Sequence, residues 1–323
     1  MAGTVSIALA TCNGERFLPE FLNSLCAQGR LPQELVAFDD ASSDNTLRIL
    51  EGFSERSPFP LRIFHNTTRV GVVENFSNAI SRCASEWIAL ADQDDFWRSN
   101  KLERLLSQAG NRTTMAAFSD AEVVDEHREP LGYTMWEQTG FDETRRRLSR
   151  EDRPWEALFK DPVVTGATMV FRRQLLPLIL PIPDSWMHDA WIAQIAASQG
   201  AVVPVPSPLI EYRQHGNNVI GGRRLPIVSQ LRRARSIGRL GLLERELRRY
   251  GALHERLATF PATSRTQAML ALCEEKLEHL SRRRRLPATR LFRVPVVLRE
   301  SLGGNYSRFA KDWRNVAADL LMP

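Results

Sequence analysis

Three aspartates follow an apolar run within a stretch of four residues. Asp92, Asp94 and Asp95 occur in ADQDDFW, directly after the strand-like segment WIALA. Like charges this close raise one another's pKa values unless a cation or a hydrogen-bond donor compensates them. The cluster is therefore a candidate metal site. The alternative is a solvated turn before a helix that begins near Ser99.

These aspartates belong to a series of segments that alternate between strand and helix patterns. Four segments have the pattern of buried strands: VSIALA, ELVAFDD, PLRIFHN and EWIALAD. Amphipathic helical segments separate them, which predicts a βαβ series on a largely parallel sheet. Ligands bind beyond the carboxyl ends of the strands in such sheets. The polar clusters TCNGE, DDASSDN, NTTRVG and DQDD follow the four strands, so we expect them to form one site.

The overall composition indicates a globular protein. The chain has 323 residues, of which 43% are apolar and 25% are charged. No apolar run approaches the roughly 20 residues of a transmembrane helix, and we identify no secretory signal before the first strand. The four cysteines lack the spacing of a zinc site or a disulfide framework. We expect a cytoplasmic protein.

The second half of the chain changes in character twice. From AAFSDAEVVDE to VVTGATMVFRR, short strands and polar breaks predict a smaller mixed region that completes the site. Beyond Gly221 and Gly222 the composition changes to Leu and Arg, with apolar residues at the three- and four-residue spacing of helices. From Leu225 onward there are 20 Lys and Arg against 9 Asp and Glu. Such a basic segment indicates an anionic partner, and arginines that only solvate helix faces are the alternative.

The motifs exclude two common nucleotide sites. The segment ATCNGE after the first strand is not the GxGxxG of a dinucleotide-binding fold, and the chain has no Walker P-loop. A divalent cation is a plausible substitute for a glycine-rich phosphate cradle, because Mg²⁺ and Mn²⁺ prefer oxygen ligands and bridge diphosphates to carboxylates. It would neutralise the acidic cluster and a bound diphosphate together.

Seven ordered segments carry a resemblance to a known family. They are VSIALATCNGERFLPEFLNSLCAQ, ELVAFDDASSDNT, HNTTRVGVVENFSNAI, ADQDDFW, VTGATMVF, HDAWIA and YRQHGNN. Over roughly residues 4–222 the chain resembles inverting family 2 glycosyltransferases of the GT-A fold, more narrowly the rhamnosyltransferase-like members that assemble bacterial surface polysaccharides. The resemblance implies a Rossmann-like, mostly parallel mixed sheet flanked by helices, with a C-terminal helical extension.

The resemblance also implies roles for residues at the strand ends. The nucleotide-sugar site would comprise Thr11, Asn13, Glu15, Asp40, Asn66, Arg69, Asn75, Asp92, Asp94, Gly166 and Arg213. Asp95 would be the direct metal ligand for Mn²⁺ or Mg²⁺, with Asp94 also in the metal set. His215 would bind the metal or the diphosphate, for which Arg213 is a second candidate.

Asp189 in HDAW matches the position of the catalytic base in this family. Inversion requires an acceptor hydroxyl to attack opposite the leaving diphosphate, and a carboxylate within hydrogen-bond reach takes its proton. The alternative role of Asp189 is the N-cap of the helix AWIAQIAASQG. Gly166 and Ala167 would form a close turn beneath the donor sugar and the acceptor. Trp97 either packs beside the site or is a core residue.

We predict a GT-A catalytic domain at 1–222, with a nucleotide-binding half at 1–95 and an acceptor and catalytic half at 96–222. A basic helical region at 223–323 would contact the inner-membrane surface, a second copy or the acceptor; nucleic acid is not an expected partner. The predicted function is transfer of a sugar from dTDP-rhamnose or a UDP-hexose to a glycan or lipid-linked acceptor. The alternatives are a catalytically silent nucleotide- or glycan-binding domain and a sugar-phosphate nucleotidyltransferase, whose glycine-rich signature is missing.

Overall fold

The computed structural model describes residues 3–151, 153–216, 227–310 and 313–322. The chain divides into two compact units: residues 1–158 with 162–221, and residues 159–161 with 222–323. The boundary predicted at Gly221 and Gly222 lies outside the described residues, so the predicted division into domains stays a prediction. Within the described ranges, no helix combines the length and the apolar character needed to cross a bilayer.

The first unit contains all the described strands. They are β1 (Val5–Thr11), β2 (Glu34–Asp39), β3 (Leu61–His65), β4 (Trp87–Asp92), β5 (Phe96–Trp97), β6 (Thr114–Val124), β7 (Pro130–Thr134), β8 (Met169–Arg172) and β9 (Ala201–Arg213). Its helices are α1 (Leu18–Cys26), α2 (Thr46–Ser54), α3 (Val72–Arg82), α4 (Lys101–Gln108), α5 (Met135–Thr139), α6 (Glu143–Arg150), α7 (Pro154–Phe159, ending at the first residue of the second unit), α8 (Leu176–Ile179) and α9 (His188–Gln199).

The strands form one mixed sheet in the order β3-β2-β1-β4-β8-β6-β9-β5, with β7 paired to β6. The four strands β3, β2, β1 and β4 are parallel, as the βαβ pattern predicts. β8 then runs antiparallel to both β4 and β6, while β6 and β9 are parallel to each other. The sheet is therefore parallel from β3 to β4, and it becomes mixed where β8 enters it. Because β9 runs in the same direction as β4, both strands end at the same edge of the sheet.

The middle of the chain has the expected short strands in β7, with five residues, and β8, with four, but β6 is long, and so is β9, which follows this region. β6 has 11 residues and β9 has 13, and both belong to the same sheet as β1 to β4. Pro204, Pro206 and Pro208 in β9 cannot donate backbone hydrogen bonds, and the β6–β9 register shifts beside them. These prolines break the strand pattern in the sequence, but the sheet accommodates them as irregularities.

The central strands are buried on both faces, which explains their continuous apolar runs. All six residues of β2 and the first five residues of β4 are buried. Helices cover the sheet with apolar faces. In α1, Leu18, Phe21, Leu22 and Leu25 are fully buried at helical spacing. Trp97 in β5 is also fully buried, so the structure confirms it as a core residue.

The second unit is helical. Its helices are α10 (Ile227–Ala258, interrupted at Gly238), α11 (Ser264–Arg284), α12 (Arg290–Leu302), α13 (Asn305–Phe309) and α14 (Trp313–Leu321). The expected apolar stripe is buried at Leu243, Tyr250, Leu253 and Leu257. Leu240, just after the interruption, is 47% exposed and does not join this stripe.

A buried polar network connects the helices of this second unit. Arg283 Nε donates to Asp319 Oδ2 over 2.5 Å, and the Tyr306 hydroxyl donates to the same oxygen over 2.6 Å. His279 Nδ1 lies 2.6 Å from Glu300 Oε2. From the sequence, one alternative was that the arginines of this segment only solvate helix faces. The structure shows that some of them are instead buried in ion pairs. Buried charges of this kind are tolerated because they are paired.

Candidate active site

The acidic loop, Asp92 to Asp95, follows the buried end of β4 and leads into β5. Asp95 is 1% exposed, and its Oδ1 accepts the backbone N–H of Arg213 over 3.1 Å. Its Oδ2 is buried without a hydrogen-bond partner among the described residues. Burial raises the pKa of Asp95, and the charges of Asp94 and Asp92 raise it further. The loop therefore holds negative charge that the surrounding polar groups only partly compensate.

Asp92, the last residue of β4, shares this electrostatic environment. Burial, followed by the charges of Asp94 and Asp189, raises the pKa of Asp92 to about 7. The part of the chain that the structure describes provides no hydrogen-bond donor to the Asp92 carboxylate. The charge of Asp189 therefore acts on the acidic loop.

Lys101 is a buried cation on which the charges of this cluster act, and the sequence analysis did not identify it. Its side chain is fully buried, Nζ donates to the carbonyl of Ala167 and lies 3.2 Å from the centre of the Trp97 ring. Burial lowers the pKa of Lys101, and the charges of Asp95 and Asp92 oppose that effect. Lys101 thus connects the acidic loop with the turn that precedes β8.

The end of β9 holds the acidic loop in place. Arg213 Nε donates to the Asp94 carbonyl over 2.8 Å and Nη1 to the Glu126 carbonyl over 2.7 Å, while Nη2 forms an ion pair with Glu20. The guanidinium also lies 4.6 Å from the centre of the Phe17 ring. These contacts give Arg213 a positioning role that the sequence did not indicate. Its assignment to the diphosphate stays a prediction.

His215 contacts the acidic loop directly. Its Nε2 lies 2.8 Å from Asp94 Oδ2, and its ring packs 4.8 Å from Phe17 between centres. The structure therefore brings His215 and Asp94 of the predicted metal set into contact, and the assignment of Asp94, Asp95 and His215 to a metal stays a prediction. The neighbouring Asn217 of the YRQHGNN segment lies outside the described residues.

The carboxylate oxygens of the acidic loop suit a hard divalent cation such as Mn²⁺ or Mg²⁺. The buried, unpartnered Oδ2 of Asp95 is the observation that supports this fit. The arrangement is not preformed, because His215 and Asp94 face each other at hydrogen-bond distance. Across the described ranges, no group of three or more His, Cys, Asp or Glu side chains is arranged to hold a metal ion.

Asp189 is the second residue of α9, whose N-cap is Met187. It is therefore not the N-cap that the sequence offered as an alternative. Its Oδ2 accepts the backbone N–H of Gly166 over 3.1 Å. A Cβ atom at Gly166 would lie 3.3 Å from Asp189 Cβ and 3.0 Å from His188 Nε2. Glycine at this position allows the turn before β8 to approach Asp189 closely.

His188 is a second residue that the sequence analysis missed. It is 5% exposed and stacks on Phe76 with 3.9 Å between ring centres. Neither of its ring nitrogens has a hydrogen-bond partner within the described part of the chain. Burial lowers the pKa of His188, so the ring is neutral near pH 7. The sequence pattern of α9 alone marks His188 as an ordinary helical residue. The signal in the sequence that pointed to His188 as a site residue was its position next to Asp189.

The predicted nucleotide residues after β1 hold the loop after β2. Thr11 Oγ1 donates to Asp39 Oδ1 over 2.9 Å, Asn13 Oδ1 accepts the Ser43 N–H over 2.9 Å, and Glu15 Oε2 accepts the Asn45 N–H over 3.0 Å. Thr11 is buried, whereas Asn13 and Glu15 are exposed. The structure therefore places Asn13 and Glu15, but not the Thr11 side chain, where a ligand can reach them.

Asp40 organises a second group of predicted residues. Its Oδ1 accepts from the Val70 N–H over 2.8 Å and from Asn66 Nδ2 over 3.0 Å, and its Oδ2 accepts from the Gly71 N–H over 2.9 Å. Asn75 is buried and donates to the Phe38 carbonyl over 2.9 Å. In this structure Asp40, Asn66 and Asn75 bind one another and the backbone. Their assignment to the nucleotide stays a prediction.

Gln93 and Arg69 relate the end of β1 to its surroundings. The side-chain amide of Gln93 pairs with the backbone of Cys12 through two hydrogen bonds of 2.9 Å, joining the ends of β1 and β4. Arg69 is exposed, and its positive charge partly offsets the rise in the pKa of Cys12 that burial causes. Arg69 is therefore an accessible cation beside the end of β1.

Comparison with known proteins identifies the family. The model of glycosyl transferase family 2 matches residues 6–178. A protein of Mycobacterium tuberculosis named as uncharacterized is 28% identical over 220 residues, 67% of this chain and 60% of that protein. The dTDP-rhamnosyl transferase RfbG of Shigella flexneri is 26% identical over 227 residues, 66% of this chain and 73% of RfbG. The match thus spans less than two thirds of the mycobacterial relative.

Solved structures share the fold at low sequence identity. Residues 1–349 of S. aureus TarS, in complex with UDP-GlcNAc, match with a TM-score of 0.58 at 16% identity, over 98% of this chain and 80% of those residues. The mannosyltransferase PcManGT from Pyrobaculum calidifontis, in complex with GDP-Man and Mn²⁺, matches with a TM-score of 0.53 at 16% identity, over 99% and 86% of the two chains. The chain therefore belongs to glycosyl transferase family 2 and has the GT-A fold.

Proposed function

We propose that this chain is an inverting glycosyltransferase that moves a sugar from a nucleoside-diphosphate sugar to a hydroxyl group of a glycan or lipid-linked acceptor. The observation that carries the proposal is the position of Asp189: its Oδ2 accepts the Gly166 N–H, and the carbonyl of the next residue, Ala167, accepts from Nζ of the buried Lys101, on which the charges of Asp95 and Asp92 act. An inverting transferase needs a base on one side of the sugar and a site for the leaving diphosphate on the other. Asp189 and the acidic loop are suited to these two tasks.

In the proposed reaction Asp189 accepts the proton of the acceptor hydroxyl. The hydroxyl oxygen forms a bond to the anomeric carbon as the bond from that carbon to the diphosphate oxygen breaks, and the electron pair leaves with the nucleoside diphosphate. This single displacement inverts the anomeric configuration. Two backbone donors orient the carboxylate: the Gly166 N–H donates to Oδ2 over 3.1 Å and the Ala190 N–H to Oδ1 over 2.6 Å. Each oxygen keeps a further lone pair that can accept the proton of the acceptor hydroxyl.

The acidic loop and His215 are the proposed holders of a divalent cation. Asp95 and Asp94 would supply carboxylate oxygens, and His215 would supply a ring nitrogen after separating from Asp94. When bound, Mn²⁺ or Mg²⁺ would act as a Lewis acid on the leaving diphosphate. Arg69, as an exposed cation at the same edge, would add a further positive charge near that group.

We propose dTDP-rhamnose or a UDP-hexose as the donor, with bacterial surface polysaccharide as the product. The names of the relatives support this choice: a dTDP-rhamnosyl transferase, and UDP-Glc:alpha-D-GlcNAc-diphosphoundecaprenol beta-1,3-glucosyltransferase WfgD of Escherichia coli, 28% identical over 122 residues, 38% of this chain and 47% of WfgD. TarS, which shares the fold, was solved with UDP-GlcNAc.

The test is Asp189→Asn, which keeps the size of the side chain but removes the base. Asp184→Asn is the matched control, because Asp184 is exposed in the loop before the same helix. We expect Asp189→Asn to lower the transfer rate by about 10²–10⁴-fold, with nucleotide binding and thermal stability close to wild type. The anomeric configuration of the product, measured by NMR, tests inversion. A transfer rate equal to that of Asp184→Asn would rule out Asp189 as the base.

A further inference from the structure

The helix α12 presents an apolar stripe to solvent. Leu291, Leu298 and Leu302 are 74%, 55% and 87% exposed, and Val294 and Pro295 between them are also exposed. These residues recur at spacings of three and four, so they lie on one side of the helix. Single exposed leucines are ordinary on protein surfaces, but a contiguous apolar stripe marks an interaction site.

The orientation of this stripe is fixed by contacts on the opposite side of α12. Val297 is buried against Leu286, Tyr306 and Ala310. Arg293 is 2% exposed and donates to the Pro287 carbonyl over 2.6 Å. A rotation of α12 that buried the leucines would therefore expose Val297 and break the contacts of Arg293. The apolar stripe is the outer face of a packed helix.

The exposed charges of α12 and of the segment just before it all have one sign. Between residues 284 and 302 the exposed charged side chains are Arg284, Arg285, Arg290 and Arg299. The one acidic residue in this range, Glu300, is buried and paired with His279 and Arg282. The outer face of α12 thus combines exposed leucines with uncompensated arginines.

We propose that the outer face of α12 binds the surface of an anionic lipid bilayer, with the leucine stripe between the headgroups and the arginines against their phosphates. An interfacial helix has this distribution, with an apolar face that enters the boundary of the acyl chains and a basic border that attracts anionic lipids. The binding requires only α12 and its arginines, so it is independent of the transfer reaction proposed above.

Charge favours the bilayer over a second copy of the chain. A two-fold dimer through α12 would place the same surface of both copies together. The exposed arginines of α12, Arg290 and Arg299, would then come close to those of the other copy, and α12 has no exposed acidic residue to pair with them. An anionic bilayer compensates the same arginines.

The test is co-sedimentation of the full-length protein with vesicles of phosphatidylcholine, with and without phosphatidylglycerol. The double variant Leu298→Ser, Leu302→Ser removes the stripe without touching the buried side of α12. The control is Leu31→Ser, Leu131→Ser, which changes two leucines of the first unit with exposures of 43% and 42%. We expect wild type and control to bind the phosphatidylglycerol vesicles, and the α12 variant to bind about tenfold more weakly or worse. Circular dichroism checks that all variants are folded.

A second variant tests the role of charge. Arg290→Ser, Arg299→Ser should weaken binding to the phosphatidylglycerol vesicles and reduce its dependence on salt, because fewer charges are then screened. The proposal is overturned if wild type does not bind these vesicles, or if the leucine variant binds as well as the control. A wild-type dimer that the leucine variant converts to a monomer, with no binding to vesicles, would assign the stripe to a second copy instead.

Discussion

Lys101 shows how a single residue can carry information that its sequence context hides. It occupies the first position of α4, where the helix dipole disfavours a cation, and the structure explains this by placing its ammonium group beside Asp92 and Asp95. A lysine at a helix N-terminus, where a cation is unfavourable, was the feature of the sequence that could have indicated a special role for Lys101. The acidic loop itself was predictable from its local sequence, whereas its cationic neighbour depends on how α4 packs.

A substitution at Gly166 tests whether the position of Asp189, the proposed base, matters for transfer. Gly166→Ala adds a methyl group 3.0 Å from His188 Nε2 and 3.3 Å from Asp189 Cβ. We expect the transfer rate to fall by about tenfold or more, because a small displacement of a reacting group is costly, while nucleotide affinity stays unchanged. The measurement is kcat together with nucleotide binding.

Gly52→Ala is the matched control for this substitution. No atom lies within 4 Å of a Cβ at Gly52, which lies within α2. The change should leave transfer unchanged and stabilise the fold by about 0.5–1 kcal/mol, because alanine favours the helix. Transfer by Gly166→Ala at the rate of Gly52→Ala would show that the close approach to Asp189 does not matter.

At the scale of elements, β9 determines the position of the acidic loop. Of the parallel strands, β1, β2 and β4 were predictable because each has a nearly continuous apolar run, whereas β3 is shorter, contains Arg62 and is partly exposed. β9 was not predictable, since its three prolines interrupt the pattern and its partner β6 lies far away in the sequence. For the same reason the sequence could place Arg213 near the site, but could not show that it binds the carbonyls of Asp94 and Glu126.

Arg213→Met tests the positioning role. Loss of its hydrogen bonds leaves buried acceptors unpaired, so we expect the free energy of unfolding to fall by about 2 kcal/mol. The measurement is chemical denaturation, with Arg104→Met as control because Arg104 is exposed on α4. The control should stay within about 0.5 kcal/mol of wild type. Unchanged stability together with lost nucleotide binding would favour the alternative, that Arg213 contacts the diphosphate.

At the scale of the whole molecule, the two units differ in secondary structure. The first carries the sheet and the candidate site, and the second is a set of helices with a buried polar network. The excess of basic residues after Leu225 was visible in the sequence. Which arginines are buried was not, because helical spacing alone does not distinguish Arg283 and Arg293 in the interior from Arg284 and Arg299 on the surface.

The central claim is that the acidic loop binds a nucleoside diphosphate together with a divalent cation. The most direct measurement is calorimetric binding of UDP, dTDP and GDP, with and without Mn²⁺, to the wild type, Asp95→Asn and the control Glu51→Gln, which changes an exposed carboxylate on α2. We predict that one nucleotide binds in the presence of Mn²⁺, and that Asp95→Asn, but not the control, weakens this binding by about tenfold or more. Equal affinity with and without Mn²⁺, or in wild type and Asp95→Asn, would contradict the claim.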